Sequence, residues 1–524
     1  MTVRRVAVVG AGSSGLACIK ICIDEGLEPV CFESSDDIGG LWRFKESPEP
    51  ERSSIYRGLV VNTSKEMMCF SDFPTPADFP NYMHNSQLLQ YFRLYAEHFN
   101  LLKHIHFQTT VKSVTQTADF SETGQWEVVT INKNGDWVRH VFDAVLVCSG
   151  HYTHPVLPLS DFPGYKNFSG RCFHSWEYKD ADAYRGKRVV VVGIGNSGGD
   201  IAVEISRSAE KTFLSSRKGA WVVGRMSTNG LPLDMTAITR FSYLLTLLLP
   251  KALINWAAER ALNYKYDHRL YGLSPLINDD LPGRVLLGGL VMKANLRGFV
   301  DSGVVFEDGT VEENIDAVVF CTGYRGTFPF LPPALSALCF YFCLPTNPLL
   351  FPPSLQHPTL AIVGLFQTKG PIMPIAEMQA RWAVKVFTGK TLHTVLHTVT
   401  KGGNVIGMSS VQKFILDFYL QVGVRPNFLL LLLRDPVLWV KVVFGPCTPY
   451  QYRLTGPGQW AGARHAILTQ WKRVAQPFKT RAVPEPETRA SVLFNPWLLA
   501  LGGSLIMTML LSRNKISLLL HSAA

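Results

Sequence analysis

The chemistry-bearing residues of this 524-residue chain begin with Gly10-Ala11-Gly12-Ser13-Ser14-Gly15 and with Glu33, twenty-one positions past Gly12. In a turn between a strand and a helix, Gly10 permits the tight bend, Gly12 lets backbone approach a pyrophosphate, and Gly15 allows the helix to pack on the strand. The phosphates would rest on free N–H groups at the helix N-terminus, and Glu33 would accept from both hydroxyls of an unphosphorylated ribose. An acid there repels a 2'-phosphate, which suits the site to FAD or NAD. The constellation returns at Gly193-Ile194-Gly195-Asn196-Ser197-Gly198-Gly199-Asp200, but the residue 22 positions past Gly195 is Arg217. A guanidinium forks onto phosphate and always carries its charge. The first site is therefore expected to take FAD and the second NADPH, with Arg217 on the 2'-phosphate and Arg225 a further candidate nearby.

The elements that must position these residues show in the hydropathy pattern. Arg5 to Val9 reads as a buried parallel strand, Leu16 to Gly26 as a helix, and Pro29 to Phe32 as a second strand delivering Glu33. The second set repeats this order, with a strand at Val189 to Val192, a helix at Ile201 to Ser208 and a strand at Lys211 to Ser216. Both sets close alike, Asp143 to Gly150 matching Asp316 to Gly323, so the chain holds two dinucleotide-binding modules. Gly39-Gly40-Leu41-Trp42 would bring backbone close to a flavin ring. Leu59, Val60 and Val61 open onto the polar cluster Asn62, Thr63, Ser64, Lys65 and Glu66, in which Asn62 and Thr63 read as strand-end caps. Residues 85–102 read as a helix, 125–147 as a small β-meander, 359–364 as a strand and 375–386 as a helix. His174, between the modules, reads as a structural histidine in a linker.

Composition excludes some classes. The formal charge of +10 is spread along the chain, without basic tracts interleaved with aromatics, which argues against nucleic acid. A basic surface suits anionic lipid or a phosphorylated cofactor. Ten cysteines include no CxxC pair and no zinc-type spacing, so no metal is expected and the thiols read as reduced, in a cytosol-facing protein. No signal peptide precedes the first strand. The apolar runs Phe241 to Trp256 and Phe428 to Leu433 are too short to span a bilayer and read as buried helices or as surfaces dipping into membrane. From Val492 to Ser512 there are 21 residues without a charge, which as a helix would reach about 31 Å against a hydrocarbon core of about 30 Å. Lys472, Arg473, Lys479, Arg481 and Arg489 lie upstream, a bias that keeps the bulk of the protein cytosolic. The chain reads as tail-anchored, by a spanning helix or a monotopic one.

At this point the residues resemble the vertebrate flavin-containing monooxygenases over nearly the whole chain. The carriers are GAGSSG at 10–15, EMMCFSDFP at 66–74, FxGxxxHxxxY at 168–178, GIGNSGGD at 193–200, FCTGY at 320–324 and the hydrophobic tail. The resemblance implies an α/β protein with two Rossmann-like domains, an NADPH-binding domain inserted in an FAD-binding one, plus a C-terminal hydrophobic membrane anchor. The expected boundaries are 1–155 and 326–445 for the FAD domain, 156–325 for the NADPH domain with an apolar insertion around 235–285, 446–490 for a C-terminal extension and 491–515 for the anchor. It implies that NADPH reduces FAD and that O2 then forms a C4a-hydroperoxyflavin awaiting a soft nucleophile, a nitrogen or sulfur in a small lipophilic compound. Asn62 with Thr63, and Asn196, match the family's asparagines beside flavin and nicotinamide, where they would hold NADP+ and the oxygen adduct. The resemblance further implies contact with membrane lipid at the endoplasmic reticulum and leaves room for a homo-oligomer. The stretch 392–420 departs from the family, being shorter and largely apolar. Baeyer-Villiger oxygenation of ketones is the alternative within the same machinery, although Tyr178 stands where those enzymes carry tryptophan and proline. A disulfide reductase would need a cysteine pair that 34–60 lacks; a non-catalytic or uncoupled membrane flavoprotein is the further alternative, kept open by the altered stretch 392–420, with the intact glycine turns, Glu33, Asn62 and Asn196 arguing against it.

Overall fold

The run Arg5–Val9 is apolar on both faces because it lies in the middle of a parallel sheet covered on both sides. The computed structural model describes residues 3–227, 230–250, 252–254, 256, 275–336, 350–352, 355–365, 370–390 and 422–480. The elements considered below belong to the compact unit Met1–Pro477; the second unit is Phe478–Ala524. The stretch 392–420 and the anchor expected over 491–515 lie outside the described residues. Among the described residues no helix is long and apolar enough to cross a membrane.

Two five-stranded parallel sheets share one plan. In the first, the order is Leu360–Ile362, Ala144–Val147, Arg5–Val9, Glu28–Phe32, Ile105–His106. In the second it is Arg171–His174, Ala317–Phe320, Arg188–Val192, Lys211–Ser215, Leu290–Lys293. In each sheet the strand at the glycine turn is central. A three-stranded antiparallel meander precedes the returning strand in both, at 109–142 and at 296–312. The aspartate that opens each returning strand pins its base: Asp143 Oδ2 accepts from the Arg4 and Arg5 N–H groups, and Asp316 Oδ2 from that of Arg188.

The structure corrects some boundaries. The meander begins at Thr109, and Ala144–Val147 leaves it to join the main sheet. The helices run Ser13–Asp24, Asn85–His98, Asn196–Ile205 and Ile372–Phe387. Each glycine-turn helix starts directly on its turn because small residues there let it. The segment around His174 is no linker: Arg171–His174 is the edge strand of the second sheet, too short for a pattern to show.

The segment 446–477 is fastened to the first module by buried ion pairs. Glu66 takes a two-pronged contact from Arg473 (2.8 and 2.6 Å) and a hydrogen bond from the Tyr450 hydroxyl (2.9 Å). Asp72 binds Lys20 at 2.5 Å and Arg453 at 2.8 Å, and Arg453 also reaches Glu377 at 2.8 Å. Glu377 in turn accepts from the backbone N–H and the hydroxyl of Ser71. Removing one partner strands a buried charge, which costs far more than a surface pair is worth. Glu377→Ala is therefore expected to lower unfolding stability by about 3 kcal/mol or more, measured by denaturant titration of the FAD-loaded chain; a loss no larger than that of a surface alanine would contradict the network.

Candidate active site

Both glycine turns are closed by the same contacts. Gly10 and Gly193 have φ of +97° and +106°, which a side chain would resist, and their N–H groups donate to Phe32 and Ser215 carbonyls at 2.9 Å. A Cβ on Gly10 would stand 2.9 Å from the Cys148 carbonyl oxygen, and one on Gly193 would stand 2.7 Å from that of Cys321. Gly12 is bare toward the turn at Gly40, where a Cβ would have 3.7 Å to the nearest atom, and Gly195 would have nothing within 4 Å. That leaves a cradle for phosphate at each helix N-terminus.

Glu33 is buried at the end of its strand. Its Oε2 accepts from the Ala11 N–H at 2.7 Å, and its Oε1 from the Ser35 N–H at 2.8 Å and from Arg52 at 3.3 Å. Oε2, with one donor, keeps a lone pair for a ribose hydroxyl. Ser14 lies against Gly364, whose N–H donates to Gln379, so the last strand of the sheet reaches the same turn. Gly39 and Gly40 have positive φ and lead into the single turn Gly40–Trp42, which carries Leu41 and Trp42 beside the phosphate turn. Neither Arg52 nor Gln379 shows in the sequence, since each sits in a stretch without motif spacing.

In the second module, Arg217 follows the strand Lys211–Ser215, is exposed, and has no ion-pair partner among the described residues. Arg225 is placed differently. Its Nη2 donates to Asn62 Oδ1 at 2.7 Å, its Nε to the Val61 carbonyl at 3.3 Å, and its Nη1 to Asp279 at 2.8 Å. It thus joins the polar cluster of the first module to the second. The strands Val222–Val223 and Leu276–Ile277 pair in parallel, and Asn196 Oδ1 accepts the Ile277 N–H at 3.0 Å. Asn196 is therefore held at one strand of this short ribbon, and Asn62 by Arg225, two residues past the other. Each is pinned through its oxygen, which leaves the Nδ2 amino group as a donor without an acceptor among the described residues. Val61 is buried with its N–H on the Met83 carbonyl, and Thr63 is half-buried in the bend that follows Asn62.

Asp200 and Ser197 part company. Ser197 is exposed at the helix start, whereas Asp200 is turned to the first module, accepting from the Tyr56 hydroxyl and from Asn278, both at 2.7 Å. One turn on, Glu204 accepts from the Tyr178 hydroxyl at 2.9 Å. Burial pushes both carboxyls above their ordinary range. His174 uses both ring nitrogens on backbone: Nδ1 accepts the Trp176 N–H and Nε2 donates to the Gly323 carbonyl, each at 3.0 Å.

The model of the family described as flavin-binding monooxygenase-like matches residues 3–512. The chain belongs to that family. It is 48% identical over 517 residues to flavin-containing monooxygenase 5 of Cavia porcellus, covering 94% of this chain and 96% of that one. To the N-oxide-forming dimethylaniline monooxygenase 2 of Rattus norvegicus it is 49% identical over 510 residues, 92% and 94% of the two chains. The fold is similar to that of the S-allyl-L-cysteine S-oxygenase of Allium sativum, with a TM-score of 0.55 at 21% identity over 92% of this chain and 90% of that one. An open structure of cyclohexanone monooxygenase gives 0.54 at 19% identity over 74% and 88%. This flavin monooxygenase is NADPH-dependent and uses FAD. The paired cradles and the buried Glu33 fit those two groups.

The His174 ring of this monooxygenase carries a pH dependence. Burial holds its pKa down to about 4, against an ordinary 6.5, so the unfolded chain binds a proton that the folded one refuses. The stability this contributes is fully present above pH 6.5 and is lost as pH falls toward 4. The thermal midpoint of the FAD-loaded enzyme should fall over that window, and His174→Gln should make the fall shallower. Equal slopes in the two proteins would remove His174 as its source.

Proposed function

We propose that this enzyme oxygenates nucleophilic nitrogen or sulfur atoms of small lipophilic compounds, with FAD in the first glycine turn and NADPH in the second. The observation that carries the reading is Arg225 holding Asn62 across the two modules, where flavin and nicotinamide must meet. When bound, the flavin supplies the redox chemistry, taking electrons from NADPH and passing them to O2. The chain's own residues do the rest. Residues 10–15, Glu33, Leu41, Trp42, Val61 and Thr63 hold the first cofactor. Gly193, Gly195, Ser197, Gly198 and Gly199 hold the second, with the free guanidinium of Arg217 on the 2'-phosphate. Asp200 acts from behind, fixing its helix to Tyr56. Asn62 and Asn196 point amide N–H donors at the reacting region from a rigid ribbon, so charge that develops there meets fixed dipoles rather than water. The domain boundaries expected above, 1–155 with 326–445 and 156–325, are the division this reading uses.

The reading extends to membrane. Helices Arg240–Leu248, Phe428–Arg434 and Pro436–Val443 pack together through Phe241 on Phe444 and Arg240 over Phe428. Their outer face is apolar: Leu429 is 70% exposed and Leu433 74%, with Leu247 and Val437 beside them in kind. Of the two readings of these runs, a buried helix is not what the structure has. An apolar face of this kind on a basic chain fits the surface of an anionic membrane, consistent with residence at the endoplasmic reticulum with the catalytic part in the cytosol.

Three measurements check this. Arg217→Ala should raise the KM for NADPH by about tenfold or more while leaving that for NADH near its starting value, as the loss of a charge-assisted phosphate contact would; equal effects would take Arg217 out of the site. The same assay, run with a tertiary amine, a thioether and a ketone, should couple NADPH consumption to product for the first two, and coupling to the ketone alone would favour Baeyer-Villiger chemistry. In cosedimentation with vesicles containing phosphatidylserine, Leu429→Glu with Leu433→Glu should lower the bound fraction of the full chain severalfold, and unchanged binding would clear this face of a membrane role.

A further inference from the structure

The loop Asn62-Thr63-Ser64 is pinned at both ends within the first module. The Val61 N–H donates to the Met83 carbonyl at 2.9 Å and the Lys65 N–H to the Asn81 carbonyl at 2.8 Å, so the segment 81–83 fixes where the loop begins and ends. How the three residues between them lie is a separate matter. Two contacts from the second module bear on it. Arg225 takes the Asn62 side chain at one end, and at the other Asp234 Oδ2 accepts the Ser64 N–H at 2.7 Å.

The two holding residues are parts of one piece. The Leu233 N–H donates to the Arg225 carbonyl at 2.8 Å, Met226 and Pro232 form a bridge, and the Tyr82 hydroxyl closes on the same Arg225 carbonyl at 2.6 Å. Asp234 follows at once on the short helix Leu233–Ala237. Arg225 and Asp234 are thus the jaws of a clamp on Asn62 and Ser64.

Asp234 does not act as a helix cap. Ser64 stands just before the helix Lys65–Met68, and a cap would accept from N–H groups inside the first turn. Asp234 accepts from the N–H of Ser64 itself. In a capping box that bond is made by the side chain three residues on, here Met67, which is turned into an apolar cluster with Met235 and Val474. The acceptor comes instead from the other module, as a half-buried carboxyl that burial pushes above its ordinary range. A bond that a local glutamate could make is therefore made across the modules at a cost in desolvation. Its consequence is that the loop is seated only while the second module is docked on the first.

We propose that Asp234 is a positioning residue for the oxygenation reaction: through the Ser64 N–H it sets the loop so that the Asn62 amide holds one place beside the nicotinamide cofactor, an inference that rests on the role proposed above for Asn62. Asp234 itself touches neither cofactor nor substrate. It acts through the backbone of Ser64.

The test uses the full-length, FAD-loaded chain and two readouts. One is the dissociation constant of NADP+, from the change in flavin absorbance on titration without turnover; the other is the hydrogen peroxide released per NADPH consumed with a saturating tertiary amine. Asp234→Ala should keep its FAD and unfold cooperatively, since alanine suits the helix and leaves room for water on the Ser64 N–H. It should bind NADP+ about fivefold more weakly, as the loss of one hydrogen bond would allow, and its peroxide share should rise severalfold. Asp234→Asn keeps an oxygen for the Ser64 N–H and should stay within about twofold of the parent on both. Asn62→Ala combined with Asp234→Ala should be no worse than Asn62→Ala alone, because both act on one group. Unchanged readouts in Asp234→Ala, loss of its FAD or of cooperative unfolding, an Asp234→Asn enzyme as impaired as Asp234→Ala, or additive losses in the double variant would each overturn the proposal. A parent enzyme that released only peroxide with amines and thioethers alike would sink the oxygenation reading, and the NADP+ titration would still decide on Asp234.

Discussion

A Cβ on Gly15 would stand 1.9 Å from the Gly10 carbonyl oxygen, and one on Gly198 would stand the same 1.9 Å from that of Gly193. No side chain fits there, so each helix is pressed onto the turn that precedes it more closely than any other residue would allow. The consequence runs outward. The helix N-terminus cannot slide, the next strand must pair where it does, and Glu33 at the end of that strand in the first module is carried onto the turn, where it accepts the Ala11 N–H. The carbonyls of Cys148 and Cys321 close the other wall of each turn, which is why the returning strands of the two modules end alike.

Two rigid modules are of use only if they face each other correctly, and a different class of contact sets that. Asp200, on the second module's helix, accepts from Tyr56 of the first, and one turn on Glu204 accepts from Tyr178 within the second module. Hydrogen bonds from neutral donors to carboxylates are strong and directional, and they avoid the full desolvation of an ion pair. Arg225 adds a second tie, from Asp279 to Asn62. These contacts fix Asn62 of the first module against the second.

Much of this was legible in the sequence because it depends on local rules. Glycine spacing, β-branched runs and the acid or base past the second strand specify each module without reference to the other. Asn62 and Asn196 were named through the family resemblance, but nothing local shows that Arg225 reaches one of them, since the partners are 163 positions apart and neither lies in a patterned segment. The same holds for Arg52 on Glu33, for Tyr56 on Asp200 and for Gln379 at Gly364: each is a single polar residue whose meaning lies in a long-range contact. His174 reads as structural from the sequence and binds backbone through both ring nitrogens, but the strand that carries it does not show, because four residues are too few for a period of two.

The motif EMMCFSDFP looks like catalytic machinery, with two acids and a thiol, and the structure assigns its charges elsewhere. Glu66 is consumed by Arg473 and Tyr450, Asp72 by Lys20 and Arg453, and the Cys69 thiol is buried against Tyr450 with its pKa pushed up by burial. The motif is a buckle between the first module and the segment 446–477. The amides of Asn62 and Asn196 are neutral donors instead, although the first is held by Arg225, itself paired with Asp279. Neutral donors hold a developing charge without a proton of their own to lose. A carboxylic acid or an imidazolium at the same place would be a ready proton source, and a proton delivered early is what ends an oxygen-activating cycle without product. The acids of the buckle are taken up by cations and a hydroxyl, and His174 by backbone at both ring nitrogens, so the ionisable groups of these two motifs serve the fold.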